Sequence, residues 1–284
     1  MVATNEFVTE IAAGVSERLG NGYEVTTTQT DKGNSVILDG IDIKPIGSEI
    51  SAVVYVSREH DVEENVNRIV KAFNDMDAPM FDVELFEDYE KAKERLYLRL
   101  SSHPADGVVK KKAFCDLYIT AAVSMGGGAS AQVRENHLKL WGISKAKLFK
   151  DARYYAEINM PACTMNLVDV ITKRLGLPDF MADKMFPEEV RRLTILTNKD
   201  KVYGASTILY ADGLPREFYM LPSSVHEVII MPADDNLHNI RDLSEMVRTV
   251  NRDEIDREDI LANHAYHYFE GEWEIIDFSV KDII

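Results

Sequence analysis

The stretch that decides the fold runs from Leu193 to Pro232 and reads LTILTNKDKVYGASTILYADGLPREFYMLPSSVHEVIIMP. Its aliphatic and β-branched runs predict strands over residues 193–197, 206–210, 218–221 and 228–231. The turn formers Asn198 to Lys201 predict a hairpin between the first two of these strands. Nearly continuous apolar runs are typical of strands that are buried on both faces, so we expect helices or loops on both sides of this sheet.

The same stretch contains a cluster of nucleophilic and basic side chains: Ser223, Ser224, His226 and Glu227. In an extended segment Ser224 and His226 share one face, but their Cα atoms lie roughly 6–7 Å apart. A nucleophile and its base approach to about 2.6–3.2 Å. Ser223 follows a proline, and no G-x-S-x-G elbow is present. One interpretation is catalytic; the other is a polar turn whose hydroxyls and imidazole satisfy nearby loop groups.

Three further residues are candidate neighbours of that cluster. Asn198 follows the first predicted strand, and His137 and Trp141 lie four residues apart in the segment NHLKLWG, where they would line a pocket. The alternative is that Leu138 and Trp141 anchor this segment on the core while His137 lies at the surface.

No metal or cofactor site is predicted. His264 and His267 point to opposite faces of a strand, and the two cysteines, Cys115 and Cys163, are too far apart in the sequence to form a metal knuckle. The triple glycine Gly126–Gly128 lacks the Gly-Lys-Ser/Thr ending of a phosphate loop, which favours a hairpin turn.

The composition is acidic. Asp and Glu number 48 against 32 Lys and Arg in 284 residues, a formal charge of −16. Nucleic-acid binding needs a basic face, and none is visible, so we expect no direct nucleic-acid binding. The segment MVATNEFVTE has no features of a signal peptide, and no apolar run approaches the ~20 residues of a membrane span. We therefore expect a cytoplasmic protein without a membrane span.

Periodicity and turn residues predict hairpins between helices, which indicates an α+β fold with antiparallel or mixed sheets and helices packed on them. Helices are predicted over residues 5–19, 87–100 and 164–175. Three more are predicted to begin at N-terminal caps: at the Asp61–Glu64 capping box, at Ser144 and at Asn239. In the helix that follows Asn239, Met246 and Val250 are expected to face inward. The other strands are predicted over residues 23–30, 35–43, 51–57 and 114–123, with a closing hairpin over 265–278.

We expect one continuous unit over residues 1–284, with sub-modules 1–78, 79–185 and 186–284 and a boundary near Met76–Pro79. The residues that we expect to be largely buried are Phe7, Ile11, Val54, Val56, Leu117, Ile119, Ile195, Leu196, Leu209, Val228 and Ile230.

Four segments carry a resemblance: NHLKLWG, LTNKDKVYGASTILY, LPSSVHEVIIMP and VNRDEIDREDILANHAYHY. Together they resemble a domain-of-unknown-function family of anaerobic Gram-positive bacteria and their mobile elements, over most of the chain. The middle block is also similar to YtpQ-like uncharacterised proteins. Members of the first family usually carry a longer helix before LPSS, where this chain has only Asp212 to Glu217. The resemblance implies no activity, substrate or cofactor.

Three functions fit the sequence. The first is a non-enzymatic binding or regulatory protein, with a protein partner or a small ligand. The second is a serine-type hydrolase that uses Ser223 or Ser224 with His226 and Glu227. The third is an acidic decoy that occupies a nucleic-acid-binding protein.

Overall fold

The structure is a computed structural model that describes residues 6–33, 36–47, 51–75, 88–126, 129–178, 182–233 and 242–276. The chain divides into two compact units, Met1–Phe86 and Glu87–Ile284. Within the described ranges the strands form three antiparallel sheets accompanied by helices, so the predicted α+β class is confirmed. The boundary expected at Met76–Pro79 lies outside the described residues.

The first unit packs two helices on a three-stranded sheet of order β1-β2-β3. Its elements are α1 (Glu6–Leu19), β1 (Tyr23–Gly33), β2 (Val36–Pro45), β3 (Ala52–Tyr55) and α2 (Val62–Asp75). Its core joins Ile11 and Val15 of α1 to Ile41 and Ile43 of β2.

The predicted capping box at the start of α2 is confirmed. The N–H of Glu64 donates to Oδ1 of Asp61 at 2.8 Å, and the N–H of Asp61 donates to Oε2 of Glu64 at 3.2 Å. Two helix-terminal donors are therefore satisfied reciprocally.

The second unit contains the elements that carry the candidate sites. Its helices are α3 (Tyr89–Lys93), α4 (Glu135–Trp141), α5 (Lys145–Asn159), α6 (Leu167–Leu175), α7 (Ala182–Met185), α8 (Glu188–Arg191) and α9 (Asp242–Glu254). Short 3-10 helices span Gly204–Leu209 and Arg257–Asp259. Its strands are β4 (Leu96–Ser101), β5 (Lys110–Phe114), β6 (Leu117–Gly126), β7 (Ala129–Gln132), β8 (Ala162–Asn166), β9 (Thr194–Asn198), β10 (Glu217–Leu221), β11 (Val228–Pro232), β12 (Ala265–Phe269) and β13 (Glu272–Ile276).

A six-stranded sheet of order β13-β12-β10-β11-β9-β8 organises this unit, and its central strands are buried on both faces as predicted. On one face, Phe218 and Met220 of β10 pack with Leu117 of β6. On the other face, Tyr219 of β10 packs with Leu243 of α9. Successive strand residues point to opposite faces, so the run FYML contributes to both cores.

The strand predicted over Ser206–Tyr210 is wrong, because this segment is the 3-10 helix Gly204–Leu209. The hydroxyl of Ser206 donates to the carbonyl of Tyr203 at 3.0 Å, and that of Thr207 donates to the carbonyl of Gly204 at 2.7 Å. Such local bonds from Ser and Thr offer the backbone an alternative to a sheet ladder.

Three other boundaries also differ from the prediction. The helix predicted over 87–100 ends at Lys93, because the run from Leu96 to Leu100 pairs with β6. The strand predicted over 114–123 is a hairpin that turns at Cys115, where φ is +44°. The helix predicted over 164–175 begins only at Leu167, because Oδ1 of Asn166 caps it and the preceding residues pair with β9.

Most of the predicted core is confirmed, but six residues are more exposed than expected. Phe7, Val56, Ile119 and Leu209 are only half-buried. Met246 and Val250 of α9, predicted to face inward, are 51% and 38% exposed. The predicted helix cap at Asn239 lies outside the described residues. Of the helices in the described ranges, none has the length and apolarity needed to cross a membrane.

Candidate functional site

The loop after β9 is shaped by Asn198, one of the predicted binding residues. Its Oδ1 accepts the N–H groups of Asp200 and Val202 at 3.1 and 3.3 Å, and its Nδ2 donates to the Val202 carbonyl at 2.7 Å. Lys201 and Tyr203 in this loop have φ of +55° and +53°. Residues with a Cβ rarely adopt this conformation, so the side-chain bonds of Asn198 hold a strained loop in place.

Gly204 stands at the point where this loop, β9 and the predicted Ser223–Glu227 turn meet. A Cβ added there would lie 2.2 Å from Oγ1 of Thr197 and 2.6 Å from the carbonyl oxygen of His226. Thr197 Oγ1 itself donates to that carbonyl at 2.8 Å. The absence of a side chain at Gly204 therefore allows the loop to approach the turn.

The imidazole of His226 has a partner at each ring nitrogen. Nδ1 accepts the backbone N–H of Tyr203 at 3.1 Å, and Nε2 lies 3.1 Å from Oδ1 of Asp259. Because Nδ1 accepts a hydrogen bond, the ring proton of the neutral imidazole lies on Nε2, facing the carboxylate. The side chain of His226 thus connects the strained loop to the 3-10 helix Arg257–Asp259.

The other members of the predicted cluster lie in the same turn. Ser224 is buried, its Oγ accepts the backbone N–H of His226 at 3.0 Å, and its N–H donates to the Glu227 carbonyl at 3.1 Å. Glu227 and Ser223 are half-buried. Burial raises the pKa of the Glu227 carboxyl against the lowering effect of Lys201 and His226.

This geometry brings Asn198 and the turn together without assembling a nucleophile–base pair. The Ser224 hydroxyl is bonded to the backbone of His226, and both ring nitrogens of His226 face other groups. A hydrolytic mechanism would need His226 to leave either Tyr203 or Asp259 before it reached a serine hydroxyl.

An aromatic column lies beside this turn. The Arg99 guanidinium lies 3.6 Å from the centroid of the Tyr203 ring, and the His226 and Tyr97 rings lie 5.3 and 6.0 Å from it. The guanidinium thus lies over the face of the Tyr203 ring, within the distance of a cation–π contact.

His137 and Trp141 lie on a different element, α4. Trp141 is buried with its ring 5.4 Å from that of Tyr89, and the half-buried His137 ring lies 5.6 Å from that of Trp141. Nδ1 of His137 accepts the N–H of Arg134 at 3.2 Å. Burial, followed by the charge of Arg134, lowers the pKa of His137.

A cleft of about 530 Å³ is lined in part by Ile208 and Leu209 of the 3-10 helix Gly204–Leu209. Four aromatic rings line it: Phe114, Phe218, Tyr268 and Trp273. The Trp273 ring lies flat on Phe114, with centroids 4.0 Å apart and planes at 11°, and its centroid is 4.9 Å from that of Tyr268. Such a volume falls within the range of small-ligand pockets, which are mostly lined by apolar and aromatic groups.

The mouth of this cleft is polar and comes from two loops. Asp212 and Arg216 belong to the connection before β10, and Glu270 belongs to the turn between β12 and β13. Arg216 forms an ion pair with Glu270. Sequence reasoning missed this cleft because its four rings come from four separate strands, β5, β10, β12 and β13. The sequence marked the connection over 212–217 only as shorter than in the family that the chain resembles, and residues 212–216 of it line the cleft.

A second cleft, of about 510 Å³, lies between the start of β4 and the end of α5. Its lining includes Arg95, Tyr97, Asn159, Met160 and Asp200. It carries fewer aromatic rings than the first cleft, so it offers less apolar surface for a ligand body.

Asp116, whose side chain is 40% exposed, organises a partly buried network next to the aromatic cleft. Its Oδ1 accepts the Tyr266 hydroxyl at 2.7 Å and lies 3.3 Å from Nε2 of His264. Burial alone would raise the pKa of Asp116, but the bonds from His264 and Tyr266 lower it to about 2. The fully buried Tyr266 has its pKa raised by burial and by Asp116.

Within the described ranges, no group of three or more His, Cys, Asp or Glu side chains is placed to hold a metal ion. His267 lies between two carboxylates. Its Nδ1 is 2.9 Å from Oε1 of Glu274, and its Nε2 is 2.9 Å from Oε1 of Glu217.

Comparison with known proteins assigns the chain to a family but does not indicate an activity. No curated protein and no solved structure matches the chain. A model of the family of unknown function DUF5688 matches residues 4–270, so the predicted membership of a domain-of-unknown-function family is confirmed. That span includes the predicted site residues from His137 to Glu227 and most of the second unit, but it ends before Trp273 of the aromatic cleft. The chain belongs to the family of unknown function DUF5688.

Proposed function

We propose that the protein is a non-enzymatic binding protein that takes a small organic ligand in the aromatic cleft. The observation that carries the proposal is the cleft itself, with about 530 Å³ of space, Tyr268 and Trp273 as half-buried walls, and charged groups at its mouth. Apolar walls with a few polar groups at one end are typical of pockets that orient a ligand.

The charges at the mouth favour a cationic ligand. Asp212 and Glu270 are carboxylates, and the guanidinium of Arg216 is already paired with Glu270. The faces of Tyr and Trp rings attract cations as well. The proposed ligand therefore has an aromatic or aliphatic body against Tyr268 and Trp273 and a protonated amine near Asp212.

The hydrogen bonds that engage Ser224 and His226 in the Ser223–Glu227 turn favour a binding function over hydrolysis. A serine hydrolase needs a free base beside the hydroxyl, whereas both nitrogens of His226 are engaged and Ser224 accepts a backbone hydrogen bond. In the proposed account this turn is a structural support for the strained loop.

Fluorescence of Trp273 tests the proposal. The chain has two tryptophans, so a Trp141→Phe background leaves Trp273 as the only reporter. We expect phenethylamine to change its emission saturably and 3-phenylpropionate to act more weakly. Asp212→Asn should weaken the amine by about threefold to tenfold. Asp253→Asn, an exposed residue on α9, is the matched control and should leave the titration unchanged. No saturable change with either compound would contradict the proposal.

Labelling with a fluorophosphonate probe distinguishes the hydrolase alternative. The binding account predicts no stoichiometric label on Ser223 or Ser224. Labelling of one of these serines that is lost in His226→Ala would instead establish the hydrolase.

A further inference from the structure

The second cleft, of about 510 Å³, brings together charges of both signs. Arg95 lies just before β4, and Asp200 lies in the loop after β9. Both residues line the cleft and both are exposed, so a molecule in the cleft can reach them. Among the described residues neither side chain has an ion-pair partner, whereas the exposed Arg153 and Arg252 are each paired with a carboxylate. The cleft therefore offers a guanidinium group and a carboxylate that nothing in this part of the chain neutralises.

The backbone at both charged positions is fixed by hydrogen bonds. The Arg95 N–H donates to the Ala92 carbonyl at 3.1 Å, and the Arg95 carbonyl accepts the N–H of Ser124 at 2.9 Å. On the other side of the cleft, the Asp200 N–H donates to Oδ1 of the buried Asn198 at 3.1 Å. A ligand therefore meets charged residues whose backbone is already ordered, which lowers the entropic cost of binding.

The C-terminal end of α5 adds to the negative side of the cleft. Asn159 and Met160 line the cleft there, and Nδ2 of Asn159 donates to the Glu94 carbonyl at 2.8 Å. Sδ of Met160 lies 3.7 Å from Nδ2 of Asn198, the side chain that also holds Asp200. The helix end and Asp200 are therefore neighbours. Because the carbonyl groups at a helix C-terminus carry partial negative charge, this side of the cleft favours a cation.

The apolar part of the lining is small. Met160 is half-buried, while Leu96 and Tyr97 of β4 are buried. The Tyr97 ring is stacked on that of Tyr203, with centroids 6.0 Å apart, so its position is fixed as well. Little apolar surface is left for a ligand, which suits a single aliphatic or aromatic side chain better than an extended ring system.

Volume and charge together limit the occupant. The cleft falls within the roughly 300–1,000 Å³ of small-ligand pockets. A simple anion would pair with Arg95 but would also meet the carboxylates of Glu94 and Asp200, which line the same cleft. A simple amine would leave Arg95 without a partner. An α-amino acid carries a carboxylate, an ammonium group and one side chain on a single carbon, so it matches all three parts of the lining.

We propose that the second cleft binds a free α-amino acid with an apolar side chain. Its carboxylate pairs with the guanidinium of Arg95, whose planar fork matches the two carboxylate oxygens. Its ammonium group lies near Asp200 and the end of α5, and its side chain contacts Met160. The proposal does not depend on the aromatic cleft, because the two clefts share no lining residue.

Methyl NMR of protein labelled at the methionine ε-methyl groups tests it, with the Met160 signal assigned through Met160→Leu. Met160 lines this cleft and no methionine lines the aromatic cleft, so the signal distinguishes the two sites. The probe is L-phenylalanine. Phenethylamine lacks only its carboxylate, and 3-phenylpropionate lacks only its ammonium group. We expect L-phenylalanine to shift the Met160 signal saturably, and each of the other two compounds to bind there about threefold to tenfold more weakly.

Two variants assign the two ends of the ligand. Arg95→Gln should weaken L-phenylalanine to the level of phenethylamine and leave phenethylamine unchanged. Asp200→Asn should weaken L-phenylalanine to the level of 3-phenylpropionate and leave 3-phenylpropionate unchanged. Arg252→Gln, on α9 and outside the cleft, is the matched control and should alter none of the titrations. All three variants should melt close to the wild type, since the three side chains are exposed.

Three results would overturn the proposal. The first is the absence of a saturable Met160 shift with up to about 10 mM L-phenylalanine, a concentration that detects even millimolar affinity. The second is equal affinity for the three compounds, which would indicate an apolar contact without recognition of the charged ends. The third is wild-type affinity for L-phenylalanine in Arg95→Gln. A response of Trp273 to phenethylamine leaves these results unaffected, since Trp273 does not line the second cleft.

Discussion

Nε2 of His226 lies 3.1 Å from Oδ1 of Asp259, across the turn that joins β10 to β11. The same ring accepts the N–H of Tyr203 through Nδ1 at 3.1 Å. One imidazole thus links three segments that are separate in sequence. These contacts of His226 hold the loop, in which Lys201 and Tyr203 have a left-handed backbone conformation, against the sheet.

The first prediction concerns this ring. His226→Ala leaves the half-buried Tyr203 N–H without its acceptor and Asp259 without its partner. We expect a loss of about 1–2 kcal/mol in the free energy of unfolding, measured by urea denaturation. His60→Ala, which removes an exposed pair with Glu64, should change stability by less than about 0.5 kcal/mol. Wild-type stability in His226→Ala would show that the ring is not a structural support.

The second prediction concerns the close approach at Gly204. Gly204→Ala places a Cβ 2.2 Å from Oγ1 of Thr197 and 2.6 Å from the backbone nitrogen of Asn198. The loop that contains residue 204 must therefore move away from the end of β9. We expect a loss of about 2–4 kcal/mol. Gly176→Ala is the matched control, since its φ is +64° but nothing lies within 4 Å of the added Cβ. It should cost about 1 kcal/mol, as in other left-handed positions. Equal losses in the two variants would contradict the crowded geometry.

The third prediction concerns acid stability. The folded-state pKa of Asp116 is about 2, below its ordinary value of 3.8. A carboxyl with a lowered pKa stabilises the fold above its unfolded-state value, and that contribution is lost as the pH falls from about 4 to 2. Asp116→Asn should therefore flatten the decline of the urea midpoint over this pH window.

Tyr266→Phe removes one of the two bonds that lower the pKa of Asp116 while keeping the buried ring. It should move the acid transition toward higher pH than in the wild type. An identical pH profile in the wild type and Asp116→Asn would show that this network does not contribute to acid stability.

Local patterns were sufficient for the parts of the fold whose signals lie within a few residues. The Asp61–Glu64 capping box, the Ser144 cap and the closing hairpin at Gly271 all depend on neighbours in sequence. The predicted strand over 206–210 was wrong because the hydroxyls of Ser206 and Thr207 bond to the carbonyls of Tyr203 and Gly204. The N–H of Tyr203 is in turn bonded to His226, which is distant in sequence.

The candidate sites, like the fold, could be predicted only where their residues are close together in the sequence. The turn residues from Ser223 to Glu227 were found because they are adjacent, and the structure brings Asn198 to them through Gly204. The aromatic cleft was missed because stacking of Phe114 on Trp273 joins strands that are far apart in the chain.

The central claim is that the aromatic cleft takes a cationic organic ligand, and a crystal structure of the protein soaked with phenethylamine tests it most directly. The account predicts density for the ring against Tyr268 and Trp273, with the ammonium group within hydrogen-bond distance of the Asp212 carboxylate. It also predicts clearly weaker density in Asp212→Asn crystals soaked near the wild-type dissociation constant, where a threefold to tenfold loss of affinity lowers the occupancy from about one half to about 10–25%. An empty cleft at saturating phenethylamine, or a ligand seated beside Ser224 and His226 instead, would contradict the account.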